Sequence, residues 1–126
     1  MIDPLKQDYI DYRIQSAKET LKAAKLLADN SHWNSAINRL YYSCYYAISA
    51  LTYAYDINTK SHKGNKQEFA LHFIKTGLVE KSLSKVYFQL FDWRHKGDYG
   101  DFIDFDKEKT LPLFEPVEKL LRQFRI

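Results

Sequence analysis

A chain of 126 residues is long enough to bury a core of its own, and a formal net charge of +3 with a pI near 8.9 is too mild a bias to identify a nucleic-acid partner by itself. The lone cysteine, Cys44, excludes an intrachain disulfide and a cysteine-based zinc site, and fits a reducing, cytoplasmic setting. Met1-Ile2-Asp3-Pro4 lacks the basic-then-apolar order of a signal peptide, and no uncharged apolar run of about 18 residues occurs, so neither export nor a membrane span is expected.

Asp3 is placed to cap a first helix with Pro4 at its first position. Its apolar stripe is Ile10, Ile14, Ala17, Leu21, Ala24 and Ala28, with Asp11, Arg13, Lys18, Lys22 and Lys25 on the other face. Asp29-Asn30-Ser31 ends it and can cap the next helix. That second helix is expected from about Trp33 to Tyr55, where Ile37, Tyr41, Cys44, Ile48, Leu51 and Tyr55 recur at helical spacing. It is apolar around most of its girth, which marks the centre of a bundle. Arg39, Tyr42 and Tyr46 share a second face of it, at spacings of three and four.

Asp56 to Asn65 is the longest polar connection and contains Lys60-Ser61-His62-Lys63-Gly64. A short helix should follow, with Phe69, Ala70, Phe73 and Ile74 inward and Gly77 as its stop. A fourth helix from near Ser82 carries the stripe Leu83, Tyr87, Leu90 and then Arg94, after which Gly97 and Gly100 are expected to break it around Asp98 and Tyr99. The last segment, from about Asp106 to Phe124, sets Leu111, Phe114, Val117, Leu121 and Phe124 on one side. Pro112 and Pro116 both fall inside it; one can begin the helix and the other is expected to kink it. With no repeat and no linker, residues 1–126 read as a single all-α domain, an antiparallel bundle of about five helices.

Arg94 is the most informative position, because a charge closing an apolar stripe is costly unless paired or bound to an anion. Asp98, one turn later, can pair with it as an ordinary ion pair; the functional alternative offers the guanidinium to phosphate. Arg39 stands beside Tyr42, either snorkelling past the rings or holding an anion. The lysines, hydroxyl and glycine around His62 and Lys63 can surround an anion or form a solvated basic loop. His32, His62, His72 and His95 show no metal-ligand spacing, and Asp98, Asp101, Asp104 and Asp106 read as a solvated acidic loop, so no metal and no cofactor are expected.

Asn38-Arg39-Leu40-Tyr41-Tyr42, Lys60-Ser61-His62-Lys63-Gly64, Phe73-Ile74-Lys75-Thr76-Gly77 and the stretch from Arg94 to Asp98-Tyr99, in this order, resemble the small bacterial and archaeal HEPN proteins, from about Asp8 to the C-terminus. The resemblance implies a helical bundle, commonly a homodimer, often paired with a nucleotidyltransferase. Some such proteins are toxins of toxin–antitoxin pairs that cut RNA without metal. Those nucleases resemble one another in an arginine and a histidine separated by four to six residues: arginine stabilises charge on the phosphate and histidine exchanges the proton. Here Tyr99, Gly100 and Asp101 stand five, six and seven residues after Arg94, and His95, adjacent to it, points about 100° away on a helix. The arginine half of the pattern is present and the histidine half is not.

The expected function is therefore a non-catalytic HEPN-like module for nucleotide, RNA or a nucleotidyltransferase partner, in a toxin–antitoxin or defence-type setting. Arg39, Lys63 and Arg94 would hold phosphate, Asp98 would orient Arg94, and Tyr42 or Tyr99 would pack on a base, with His62 lining the same site. The enzymatic alternative is a metal-independent ribonuclease using Arg94 with His62 or Tyr99; the structural alternative is a helical dimer whose polar groups only order its core.

Overall fold

The computed structural model describes residues 3–57, 59, 61–98 and 104–124, the last four residues of the 61–98 stretch as backbone only. The helices are α1 (Pro4–Asp29), α2 (Trp33–Ala54), α3 (His62–Phe69), α4 (Lys81–Asp98), α5 (Lys107–Thr110) and α6 (Phe114–Gln123). A π turn, Ala70–Ile74, continues α3, and a 3₁₀ turn, Leu111–Leu113, joins α5 to α6, so the described residues form five helical rods and no strand. The expected all-α bundle is the observed fold.

Local chemistry explains the ends of the elements. At the start of α1 the Asp3 carboxylate accepts from the Leu5 N–H at 2.9 Å, and Pro4 follows where no intrahelical donor is needed. At its end the Asn30 side chain donates to the Leu26 carbonyl at 2.8 Å, Ser31 takes a left-handed φ of 61°, and the His32 N–H bonds to the Leu27 carbonyl at 2.8 Å. This tight reversal lays α2 back along α1. Ala17, Ala24 and Ala36 are fully enclosed, and the buried Ser43 hydroxyl donates to the Ala17 carbonyl at 2.8 Å, so α1 and α2 approach closely through small side chains. The residue capping α2 is His32, without a side-chain hydrogen bond, rather than one of Asp29, Asn30 or Ser31.

Helix α2 is the centre, in contact with α1, α3, α4, α5 and α6. Its Ile37, Leu40, Tyr41, Cys44 and Ile48 meet Phe69 and Phe73 from the third rod, Tyr87 and Leu90 from α4, and Val117, Leu120 and Leu121 from α6. Tyr55, expected to close the apolar stripe of α2, instead ends the helix and is exposed.

Three boundaries differ from the sequence expectation. The polar connection stops at Ser61, because its hydroxyl accepts from the Gly64 N–H at 2.9 Å and starts α3 there, so His62, Lys63 and Gly64 are helical. Asn65, expected in the loop, is wholly buried: the Tyr87 hydroxyl donates to its side-chain carbonyl at 2.9 Å. Helix α4 runs through Gly97 to Asp98 rather than breaking at the glycine. The C-terminal rod is divided at its prolines: Pro112 sits in the 3₁₀ turn that separates α5 from α6, and Pro116 in the first turn of α6, where a missing N–H costs no intrahelical bond. In that rod Leu111 is exposed, while Leu120 is part of the core. Gly77 does end the third rod, with φ of 80°. No helix among the described residues is long and apolar enough to cross a membrane.

Candidate functional site

Arg39, Tyr42 and Tyr46 share one face of α2 at spacings of three and four, and Tyr42 stands where α3 and α4 meet α2. The Arg39 guanidinium lies 5.1 Å from the Tyr42 ring centroid and donates to the Asn38 side-chain oxygen through Nη2 at 2.6 Å and Nε at 3.1 Å. From α4, Arg94 donates through Nη2 to the Tyr42 hydroxyl at 3.0 Å, and its guanidinium carbon lies 5.3 Å from the ring centroids of both Tyr41 and Tyr42. Two cations from helices far apart in sequence thus flank one tyrosine. Arg39 makes no ion pair with a carboxylate among the described residues.

His62 reaches the same place from the first turn of α3. Its Nδ1 is 2.7 Å from the Tyr41 hydroxyl, its ring stacks on Tyr45 with centroids 4.3 Å apart, and it meets Tyr42 edge-on at 5.7 Å. The capping hydroxyl of Ser61 sets the direction of this turn, and a Cβ at Gly64 would sit 3.0 Å from that hydroxyl oxygen, so the glycine leaves room for the cap. Tyr41 is completely buried and stacks on Tyr87 with ring planes 9° apart. Burial pushes the Tyr41 hydroxyl well above the usual phenol range, only partly offset by neighbours that include the positive charge of Arg94, so it stays protonated at neutral pH.

Arg39, Tyr42, His62 and Arg94, singled out in three separate stretches of sequence, are therefore brought together around the Tyr41–Tyr42 pair. Lys63 is exposed on α3. The side chain of Asp98, and Tyr99 as a whole, lie outside the described residues, as does Lys60. Sequence reasoning missed Tyr41 and Tyr45 as parts of the site. The doublets Tyr41-Tyr42 and Tyr45-Tyr46, one helical turn apart, were the available signal: Tyr41 turns inward and Tyr42 toward the two cations, while Tyr45 takes the His62 ring.

The other candidates have ordinary explanations. His72 is exposed and pairs with Glu68 at 2.9 Å. Asp106 caps α5 by accepting from the Lys109 N–H at 2.9 Å, while Asp101 lies outside the described residues. Among the described residues no three His, Cys, Asp or Glu side chains stand close enough to share a metal ion.

Comparison with known proteins follows the same outline. Residues 10–126 match the family described as the HEPN domain. A Thermotoga maritima protein named "UPF0332 protein" is 36% identical over 95% of this chain and 96% of its own length. Two Methanocaldococcus jannaschii proteins, each named "Putative toxin", are similar as well: one is 32% identical over 77% of this chain and 66% of its own, the other 31% identical over 86% and 81%.

Proposed function

The chain belongs to the HEPN domain family, and from that premise we propose that it is an RNA-binding module of a toxin-type system, holding RNA phosphate between Arg39 and Arg94. One observation carries this reading: two guanidinium groups stand 5.1 and 5.3 Å from the same Tyr42 ring. Guanidinium groups present forked donors that match phosphate oxygens, and two of them at one point favour an anion that can bridge them. The Tyr42 ring between them offers a flank to a base. Lys63 adds charge at the edge, Asp98 is assigned to orienting Arg94, and Tyr99 to packing on a base beside Tyr42. A homodimer and a nucleotidyltransferase antitoxin as partner belong to the same proposal, which is supported by the toxin names of two relatives.

A second reading is favoured by a specific contact. His62 and Arg94 share the Tyr41–Tyr42 pair, which supplies from α3 the imidazole that the sequence lacks after Arg94. In a metal-independent ribonuclease, the His62 imidazole would take the proton of a 2′-hydroxyl as its oxygen attacks the adjacent phosphorus. Arg94 would stabilise the charge that develops on the phosphate while the 5′-oxygen leaves.

The deciding experiment incubates labelled RNA with purified wild-type protein, Arg94→Ala and His62→Ala, in EDTA, with folding of each checked by circular dichroism. RNA bound by the wild type, weakened in Arg94→Ala and left intact supports the binding module. Cleavage by the wild type that both substitutions abolish establishes the ribonuclease instead. RNA neither bound nor cut overturns both.

A further inference from the structure

The site does not end at Tyr42. Tyr46 lies one turn along α2, its ring 5.9 Å from that of Tyr42, and the Arg13 guanidinium of α1 stands 5.4 Å from the Tyr46 ring. Arg13 also lies 5.2 Å from the Tyr9 ring and donates to the Tyr9 hydroxyl at 3.0 Å, and Tyr9 meets Tyr53 with centroids 4.4 Å apart. Arginines and tyrosines thus form a continuous run of contacts from the Arg39–Arg94 pair along the seam between α1 and α2, with Arg13 between two pairs of rings. The seam covers eleven residues of α2 from Tyr42, about 16 Å at the helical rise.

Fastening α1 to α2 does not require this seam, because the enclosed Ala17 and Ala24 and the Ser43 hydrogen bond already hold the two helices together. The far end of the seam is open to solvent, Tyr9 and Tyr53 each being 36% exposed with Tyr12, one turn along α1, 67% exposed, while Tyr42 and Tyr46 are half-buried. Arg13 makes no ion pair among the described residues; the nearest carboxylate pairing, Lys6 with Asp56, is at the far end of the seam. Exposed ring faces interleaved with cations are what a single strand of nucleic acid uses, bases on rings and phosphates on cations, without sequence preference.

Resting on the RNA-binding reading above, we infer that the seam from Tyr42 to Tyr53 is a track that carries a single RNA strand away from the Arg39–Arg94 phosphate site. An acidic protein surface can also satisfy Arg13 and pack on tyrosine rings; the continuity of the seam with the Arg39–Arg94 site favours the strand.

The test measures affinity for a dinucleotide and for an oligouridine of about twelve nucleotides, using wild type, Arg13→Gln and Tyr53→Leu, each compared by thermal melting. The two substitutions are independent, so one suffices if the other alters the fold. The wild type should bind the longer strand more tightly. Each variant should weaken the longer strand about tenfold more than the dinucleotide, and Arg13→Gln should reduce the salt dependence for the longer strand by about one counterion. If the wild type binds both but neither variant changes the ratio, the track is overturned and the phosphate site stands. If the wild type binds neither RNA, the RNA-binding reading fails and the track fails with it.

Discussion

The Tyr41 hydroxyl and His62 Nδ1, 21 residues apart in sequence, are 2.7 Å apart in space, and this contact joins the first turn of α3 to the buried side of α2. Tyr41→Phe keeps the ring stacked on Tyr87 while deleting the hydroxyl. It should lower stability by about 1 kcal/mol in urea unfolding, with little change in the dependence on denaturant. It should also weaken RNA binding less than Arg94→Ala does, because the ring beneath Arg94 remains.

The same burial makes the fold sensitive to alkali. Tyr41 and Tyr87, ordinarily ionising near 10.0, and Cys44, ordinarily near 9.0, are all pushed upward by desolvation in the core. All three lose a proton more readily in the unfolded chain than in the folded one. The unfolded state therefore binds fewer protons above their ordinary values, and stability falls as pH rises. Melting temperature should be flat around neutrality and decline from about pH 9 upward. Cys44→Ala should remove the earliest part of that decline, which a series of melts from neutral to alkaline pH would reveal. An alkaline limb unchanged by Cys44→Ala would show that the tyrosines alone set it.

Asn65 supplies a further prediction. Its side-chain carbonyl accepts from the Tyr87 hydroxyl at 2.9 Å, with both residues buried. Asn65→Ala leaves that hydroxyl without its partner and opens a small cavity, at a combined cost of about 2–3 kcal/mol. Adding Tyr87→Phe in the same chain should recover part of the loss, since no buried hydroxyl is then stranded. Denaturant unfolding of the two single variants and the double variant measures the coupling directly.

At the start of α3, Ser61→Ala removes the oxygen that accepts from the Gly64 N–H and should cost about 1 kcal/mol. Because His62 is the first residue of that helix, amide hydrogen exchange of residues 62–65 should accelerate more than that of α1. Uniform acceleration across both helices would mean that the cap contributes only to global stability.

Much of the fold was written in short-range pattern. Ala17, Ala24 and Ala28 announce the inner face of α1, and Asp3-Pro4 announces its start, since both depend only on helical spacing and capping. Arg94 could be singled out because it breaks an apolar stripe. The start of α3 could not be read the same way. Lys60-Ser61-His62-Lys63-Gly64 is polar and contains a poor helix former, so local propensity says loop, and the burial of Asn65 against Tyr87 overrides it. Arg13 was assigned to the solvent side of α1 because its neighbours Asp11 and Lys18 are exposed; that its guanidinium is half-buried between Tyr9 and Tyr46 depends on how α2 lies across α1. The convergence of His62 and Arg94 rests on contacts between residues many positions apart, which no spacing rule encodes.

The tight reversal at Asn30 and Ser31 also bears on the order in which the molecule is made. The hairpin of α1 and α2 is closed by contacts local in the chain, such as Ser43 to Ala17, 26 residues back. Contacts of short loop length form early and at low entropic cost. The cationic site is different: Arg94 joins Tyr42 across 52 residues. During synthesis, which proceeds from the N-terminus, the hairpin can pair while the segment carrying Arg94 is still absent. A growing chain thus presents the tyrosines and Arg39 before the second guanidinium arrives, and completes the proposed anion site only late in translation.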